Sequence, residues 1–262
     1  MKYETMTLID LLRWTLLAIV VFVTHFQEAI TGFGCTVLAL PFVVLLLGIH
    51  SAVKVLVIQA WILTGCIVWR AREQIAWDEY ARIVTFALPG FAVGIHLFTS
   101  LPENTLKVFL GTFMGVVALR GLAAQFRRRN SPERTPTRFA RFLLKGLLVI
   151  GGAIHGAFGS GGPCIIVYAT HVIRHKGMFR ATLCTLWFTL NSILVLTWAY
   201  TRALQPEIWT YTAICTPFTI IGMVLGDRCH RMLDEESFKT AVFTVLLLSG
   251  AVIIYTAIHS GR

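Results

Sequence analysis

The chain has 262 residues, of which 56% are hydrophobic and only 14% charged, whereas a soluble domain is roughly 45–50% apolar and about 25% charged. A soluble protein of this composition would have too little polar surface to cover itself. The formal charge of +10 does not indicate nucleic acid, because the Lys and Arg residues lie in short connectors between apolar runs, where cytoplasmic membrane loops carry them.

Apolar runs and their breakers predict ten helical elements, at about 9–31, 35–48, 52–70, 80–100, 103–125, 139–158, 163–174, 179–201, 208–228 and 235–258. No Lys, Arg, Asp or Glu occurs between Arg180 and Arg202, between Glu207 and Asp227, or between Lys239 and Arg262. A spanning helix needs about 20 mostly apolar residues, so these stretches predict membrane crossings. The run Leu16–Val23 is followed by no small-residue cleavage site, which predicts a retained first helix rather than a removed signal peptide. Elements two and seven are short and suit broken or re-entrant helices. The segment Phe126–Thr137 is basic, carries two prolines and reads as a linker. It divides the chain into an N-terminal repeat (1–125), a basic cytoplasmic linker (126–138) and a C-terminal repeat (139–262). Trp69, Trp77, Trp198 and Trp209 fall at or near helix ends, as interfacial anchors do. The six cysteines form no CxxC pair and read as small buried hydrophobes.

An internal repeat runs through both halves. Phe33-Gly34 matches Phe158-Gly159 at an offset of 125, and Trp61 matches Trp187 at 126. At the latter offset Lys54 falls on Arg180 and Gly65 on Asn191. Pro89 and Gly94 match Pro217 and Gly222 at 128, and Leu101–Lys107 matches Leu233–Lys239 at 132. The basic connectors Arg70–Arg82, Arg120–Lys145, Arg174–Arg180 and Arg228–Lys239 fall on one side if each half crosses an odd number of times. An odd count inverts the second half. The expected fold is therefore all-α: a polytopic membrane protein of two inverted-topology repeats of about five helical elements each, with short broken helices.

Two glycine-rich sites interrupt the apolar sequence, Ile30-Thr-Gly-Phe-Gly-Cys-Thr-Val37 and His155-Gly-Ala-Phe-Gly-Ser-Gly-Gly-Pro163. Non-helical backbone at membrane depth is tolerated where it is buried in protein or lines a cavity. Pro163 suits the first turn of a helix, and Thr36 and Ser160 are candidate N-cap or near-cap residues. Each break is expected to present a helix N-terminus, with unpaired N–H groups and a partial positive charge, which is an anion site. The alternative is close helix packing through small residues.

On the segments Thr31–Pro41 (TGFGCTVLALP) and His155–Pro163 (HGAFGSGGP), and on Gly94 and Gly222, the chain resembles the sulfite exporter TauE/SafE family, within the toluene-sulfonate uptake permease group, over roughly residues 15–258. The resemblance implies movement of small sulfur-containing or organic anions. Pro163 stands where the family usually has a third glycine, and Cys35-Thr36 where glycine or alanine is frequent.

The residues expected to bind the anion are Gly32, Phe33, Gly34, Cys35 and Thr36 at the first break and Gly159, Ser160, Gly161 and Gly162 at the second, with Lys54, Arg180 and Asn191. Lys54 and Arg180 begin the third and eighth elements, where they would guide an anion from opposite sides or simply snorkel to headgroups. His25, Glu28 and His155 are ionisable residues beside the breaks. Such residues in membrane segments are costly and are functional candidates, here for proton coupling; local hydrogen bonding is the alternative.

A secondary permease in the cell (inner) membrane is the function expected, with the anion and the bilayer as partners, no cofactor, no metal, no nucleic acid, and homo-oligomerisation left open. A P-loop for ATP is absent from the sequence. The competing classes are a membrane-embedded enzyme, for which neither HExxH nor GxSxG is present, and an assembly or accessory protein that moves nothing.

Overall fold

The computed structural model describes residues 8–127, 138–173, 175–229, 247 and 250–259. The regular structure in these residues is helical. The elements are α1 (Leu8–Thr31), α2 (Cys35–Leu47), α3 (Ile49–Ala71), α4 (Trp77–Ser100), α5 (Glu103–Arg127), α6 (Arg138–Phe158), α7 (Gly162–Val172), α8 (Lys176–Tyr200) and α9 (Pro206–Cys229), followed by α10 (Gly250–His259). A 3-10 turn, Arg72–Gln74, joins α3 to α4. The predicted linker lies largely outside the described residues, as does the Leu233–Lys239 half of the last repeat match.

Among the described residues five helices, α1, α3, α4, α8 and α9, are long and apolar enough to cross a bilayer. With 13 and 11 residues, α2 and α7 extend only about 20 and 16 Å at 1.5 Å per residue, short of the hydrocarbon thickness. Large apolar side chains lie on the outer surface of the bundle, among them Ile19, Val93, Leu196 and Ile221. Large exposed apolar surface of this kind suits contact with acyl chains rather than with water. Trp69, Trp77 and Trp209 are exposed at helix ends, as anchors require. Trp198 is not an anchor: its side chain is buried in the core, because its helix is enclosed by protein on most sides.

The centre of the molecule is the antiparallel pair α3 and α8, the two most buried spans. Their register is set by a ladder of contacts. Lys54 Nζ donates to the Ala203 carbonyl just beyond α8, at 2.8 Å. Trp61 Nε1 donates to Ser192 Oγ at 2.8 Å, and the Trp61 ring stacks on Phe188 at 5.9 Å. Gly65 leaves room for that Phe188 ring. At the far end, Arg70 and Arg180 both reach Asp227 on α9.

Around this pair the first helix of each half packs on the fourth helix of the other. On the α4–α6 seam, a Cβ at Gly90 or Gly94 would strike the carbonyls of Val149 or Ala153, and one at Gly152 or Gly156 those of Ala87 or Phe91. On the α1–α9 seam, a Cβ at Gly222 would lie 2.8 Å from the Phe22 carbonyl oxygen. Small residues let apolar helices approach to backbone contact, which is the main source of association where lipid is as apolar as the side chains. The matched glycines Gly94 and Gly222 thus do the same job on two different seams.

Candidate functional site

The two first helices end alike. Gly32 and Gly159 have φ of +85° and +63°, and their N–H groups donate at 2.7 Å to the carbonyls of Glu28 and His155. A residue in this left-handed conformation closes a helix, and glycine adopts it without a Cβ penalty. The structural equivalence therefore pairs Gly32 with Gly159 and Glu28 with His155, two residues off the register in which Phe33-Gly34 aligns with Phe158-Gly159. Backbone conformation, not side-chain identity, sets this pairing.

The next helices start differently from expectation. The N-caps are Gly34 for α2 and Gly161 for α7, and neither helix start has a side-chain bond from its own cap. Thr36 lies inside α2, and Ser160 Oγ donates to the Phe158 carbonyl at 3.2 Å. Neither is a cap. Instead the Glu28 carboxylate reaches back from α1: its Oε2 accepts the N–H of Cys35 at 2.6 Å. Pro163 occupies the first turn of α7.

Other side chains hold the breaks in place. Gln27 Nε2 donates to Thr31 Oγ1 at 2.8 Å and to the Phe33 carbonyl at 3.1 Å. Phe33 packs edge-on against Phe179 at 6.3 Å. Trp187 ties the two breaks together. Its Nε1 donates to the Gly32 carbonyl at 3.1 Å, while its face stacks on His155 at 5.2 Å with an interplanar angle of 16°. His155 Nε2 in turn bonds Asn191 Oδ1 at 3.0 Å, and His155 Nδ1 is buried without a partner. An Nε2–H tautomer leaves Nδ1 as an open acceptor, and a proton there would make the ring a cation.

Both breaks line one cavity of about 20 Å³, bounded by Glu28, Gly34, Thr36, His155, Gly159, Ser160, Gly162 and Asn191 together with Val37, Ala60, Pro163 and Trp187. That is room for about one water molecule, too narrow for a through-going passage. Of the residues expected from sequence, Gly32, Phe33, Cys35 and Gly161 shape the breaks without lining the cavity. His25 is one turn before Glu28 but off the cavity; its Nδ1 bonds the Val21 carbonyl at 2.8 Å. Lys54 and Arg180 stand at opposite ends of the α3–α8 pair, and Arg180 lies against the first break, its Cα 2.9 Å from where a Gly32 Cβ would be. Trp187 and Asp227 were missed as site residues. Trp187 was visible only as a repeat match, and Asp227 only as the acid that ends a long uncharged run.

A family model described as "Sulfite exporter TauE/SafE" matches residues 17–253. The chain is 23% identical over 240 residues to the "Probable sulfite/organosulfonate exporter TauE" of Cupriavidus necator, covering 90% of this chain and 91% of that protein. It is 23% identical over 182 residues to the "Probable inner membrane transporter protein TsaS" of Comamonas testosteroni, covering 68% of this chain and 72% of that one. No solved structure matches significantly. With a helical bundle that exposes apolar surface to lipid and a family match over most of its length, this chain is a multi-pass membrane transporter, not an enzyme, and belongs to the sulfite exporter TauE/SafE family.

Proposed function

We propose that the chain is a secondary transporter of the cell (inner) membrane for a small anion such as sulfite, an organosulfonate or a carboxylate. The anion binds between the two glycine breaks, and two inverted halves give alternating access to it. Export is the direction proposed, on the name of the Cupriavidus relative. The observation that carries this reading is that both breaks face one cavity in which a carboxylate already sits on a helix N-terminus, Glu28 on Cys35 N–H at 2.6 Å. A helix start that accepts one oxyanion offers the same N–H groups and partial charge to another. The cap of α7 is a glycine, which brings no side chain of its own, and Pro163 carries no N–H, so the N–H groups of Gly162 and Cys164 are the ones this helix start would offer a ligand. Inversion of the halves is supported by the antiparallel α3 and α8 and by the exchange of partners between first and fourth helices.

Proton coupling follows from the same arrangement. A proton on Glu28 removes the resident negative charge and weakens its hold on the α2 N-terminus. A proton on Nδ1 of His155 adds positive charge at the other break. Either change favours an incoming anion. Lys54 and Arg180 would guide it from opposite faces.

The test is movement of labelled sulfite, methanesulfonate and acetate into proteoliposomes, wild type against Gly162→Ala. A Cβ at Gly162 would meet only Ile166 Cδ1 at 3.7 Å and Trp187 Cζ2 at 3.8 Å, ordinary contacts, so the variant should fold. Its methyl group nevertheless intrudes on a cavity of about 20 Å³. Saturable wild-type transport that the variant loses supports the reading. No movement of any anion by the wild type, or unchanged transport by the variant, overturns it.

A further inference from the structure

A second space opens beside the first break. It has a volume of about 460 Å³, and its lining includes Cys66, Arg70, Lys176, Arg180 and Asp227. The central cavity holds about one water, but this vestibule has room for a whole sulfonate. Its charged lining is three cations to one carboxylate. Arg72 and Arg228 adjoin this lining in the chain, but so does Glu73, and the excess positive charge that an approaching anion meets is that of the lining itself.

The one carboxylate is doubly engaged. Asp227 Oδ1 accepts from Arg180 Nη2 at 2.8 Å, and Oδ2 lies 3.7 Å from Arg70 Nη1. Arg70 belongs to the first half of the chain, and Arg180 and Asp227 to the second, so the carboxylate joins the halves. Arg180 has spare capacity. Its side chain is 14% exposed, and its Nε is buried with no hydrogen-bond partner. A guanidinium presents five N–H donors in a planar fork that suits a multi-oxygen anion, and Asp227 uses only part of it.

We infer that the vestibule is a loading site for a small oxyanion, held by Arg180 and Arg70, and that Asp227 is the internal placeholder the anion displaces. This rests on the transport reading and deepens it. Asp227 closes the mouth when no anion is present. Because Arg180 is packed on Gly32, freeing it from Asp227 unclamps the backbone of the first break, and loading is linked to opening of the inner cavity.

Cys66 supplies the probe, being an exposed free thiol in the vestibule. In a variant that retains Cys66 as its only cysteine, labelling is followed with two methanethiosulfonates of similar size, one carrying a sulfonate and one a trimethylammonium group. At low ionic strength the anionic reagent should react about tenfold faster than the cationic one. Millimolar methanesulfonate should slow it. Arg180→Gln should bring the two rates together, and Arg70→Gln, at a more exposed site, should do so in part even where Arg180→Gln folds poorly. Asp227→Asn should speed the anionic reagent further. Equal rates for both reagents in the parent variant, or no protection by methanesulfonate, overturn the inference. Labelling needs no turnover. A charge preference without anion movement in proteoliposomes would sink the transport reading alone, and movement without the preference would sink this one alone.

Discussion

Glu28 accepts the backbone N–H of Cys35 at 2.6 Å although the two residues belong to different helices. The bond places a carboxylate of α1 where the anion-attracting end of α2 is aimed. A buried acid is costly in a membrane unless it is paired or bonded, and here the helix end supplies the bond.

This makes Glu28→Gln informative. The amide oxygen keeps the bond to Cys35 N–H, but the group no longer takes up a proton. Under the proposed coupling, neutral Glu28 is the state that admits the anion, so wild-type transport should rise as the loading side is acidified. The Gln variant should lose the part of the pH response that Glu28 carries, keep only that of His155, and run faster than wild type at neutral pH. Uptake into proteoliposomes over a series of pH values reads both, and a variant with the wild-type pH profile would refute the coupling. Glu28→Ala, which loses the cap, should instead cost about 0.5–2 kcal/mol of stability.

Trp187→Phe separates the two roles of that side chain. The aromatic face against His155 remains, but the bond to the Gly32 carbonyl is lost. A net loss of about 0.5–1.5 kcal/mol is expected, seen as a lower midpoint of thermal unfolding in detergent. Transport should weaken through anion affinity, since the break is no longer tethered.

Gly94→Ala and Gly115→Ala form a matched pair. A Cβ at Gly94 strikes the Ala153 carbonyl of α6, whereas one at Gly115 meets nothing within 4 Å. Forced packing should destabilise the first by about 1–3 kcal/mol. The second should be neutral or slightly stabilising, as alanine is the better helix former by about 1 kcal/mol. Unfolding curves of the two proteins decide it; equal stability would mean that the α4–α6 seam is not tight.

Lys54→Gln and Arg180→Gln should each impair transport from a different face. The side chains stand at opposite ends of the α3–α8 pair. Uptake measured separately in right-side-out and inside-out vesicles should show a raised half-saturation concentration on one face only for each variant. Unaltered affinity on both faces would mean that the two cations only anchor helix ends.

Much of this protein is written locally in its sequence. Helix positions were legible because long uncharged stretches between Arg or Lys connectors leave the backbone no way to satisfy itself in lipid except as helix. The ends of α1 and α6 were legible because glycine alone among common residues closes a helix in the left-handed conformation at no cost, and Gly32 and Gly159 both do so. Asn191 and the shared break site were also within reach, through repeat matching.

Tertiary structure decided the rest. That Glu28, rather than Thr36, caps α2 depends on the angle at which the chain turns back. That Trp187 binds one break and stacks on a residue of the other depends on the depth of α8. That Asp227 bridges Arg70 and Arg180 depends on three helix ends meeting at one face, and His25 falls off the cavity because it lies one turn further back along α1 than Glu28, which reaches it. The physical reason is common to all four. Helix formation is a matter of near neighbours and the surrounding medium, whereas the partner of a buried polar group is fixed by which distant backbone or side chain packing brings within about 3 Å.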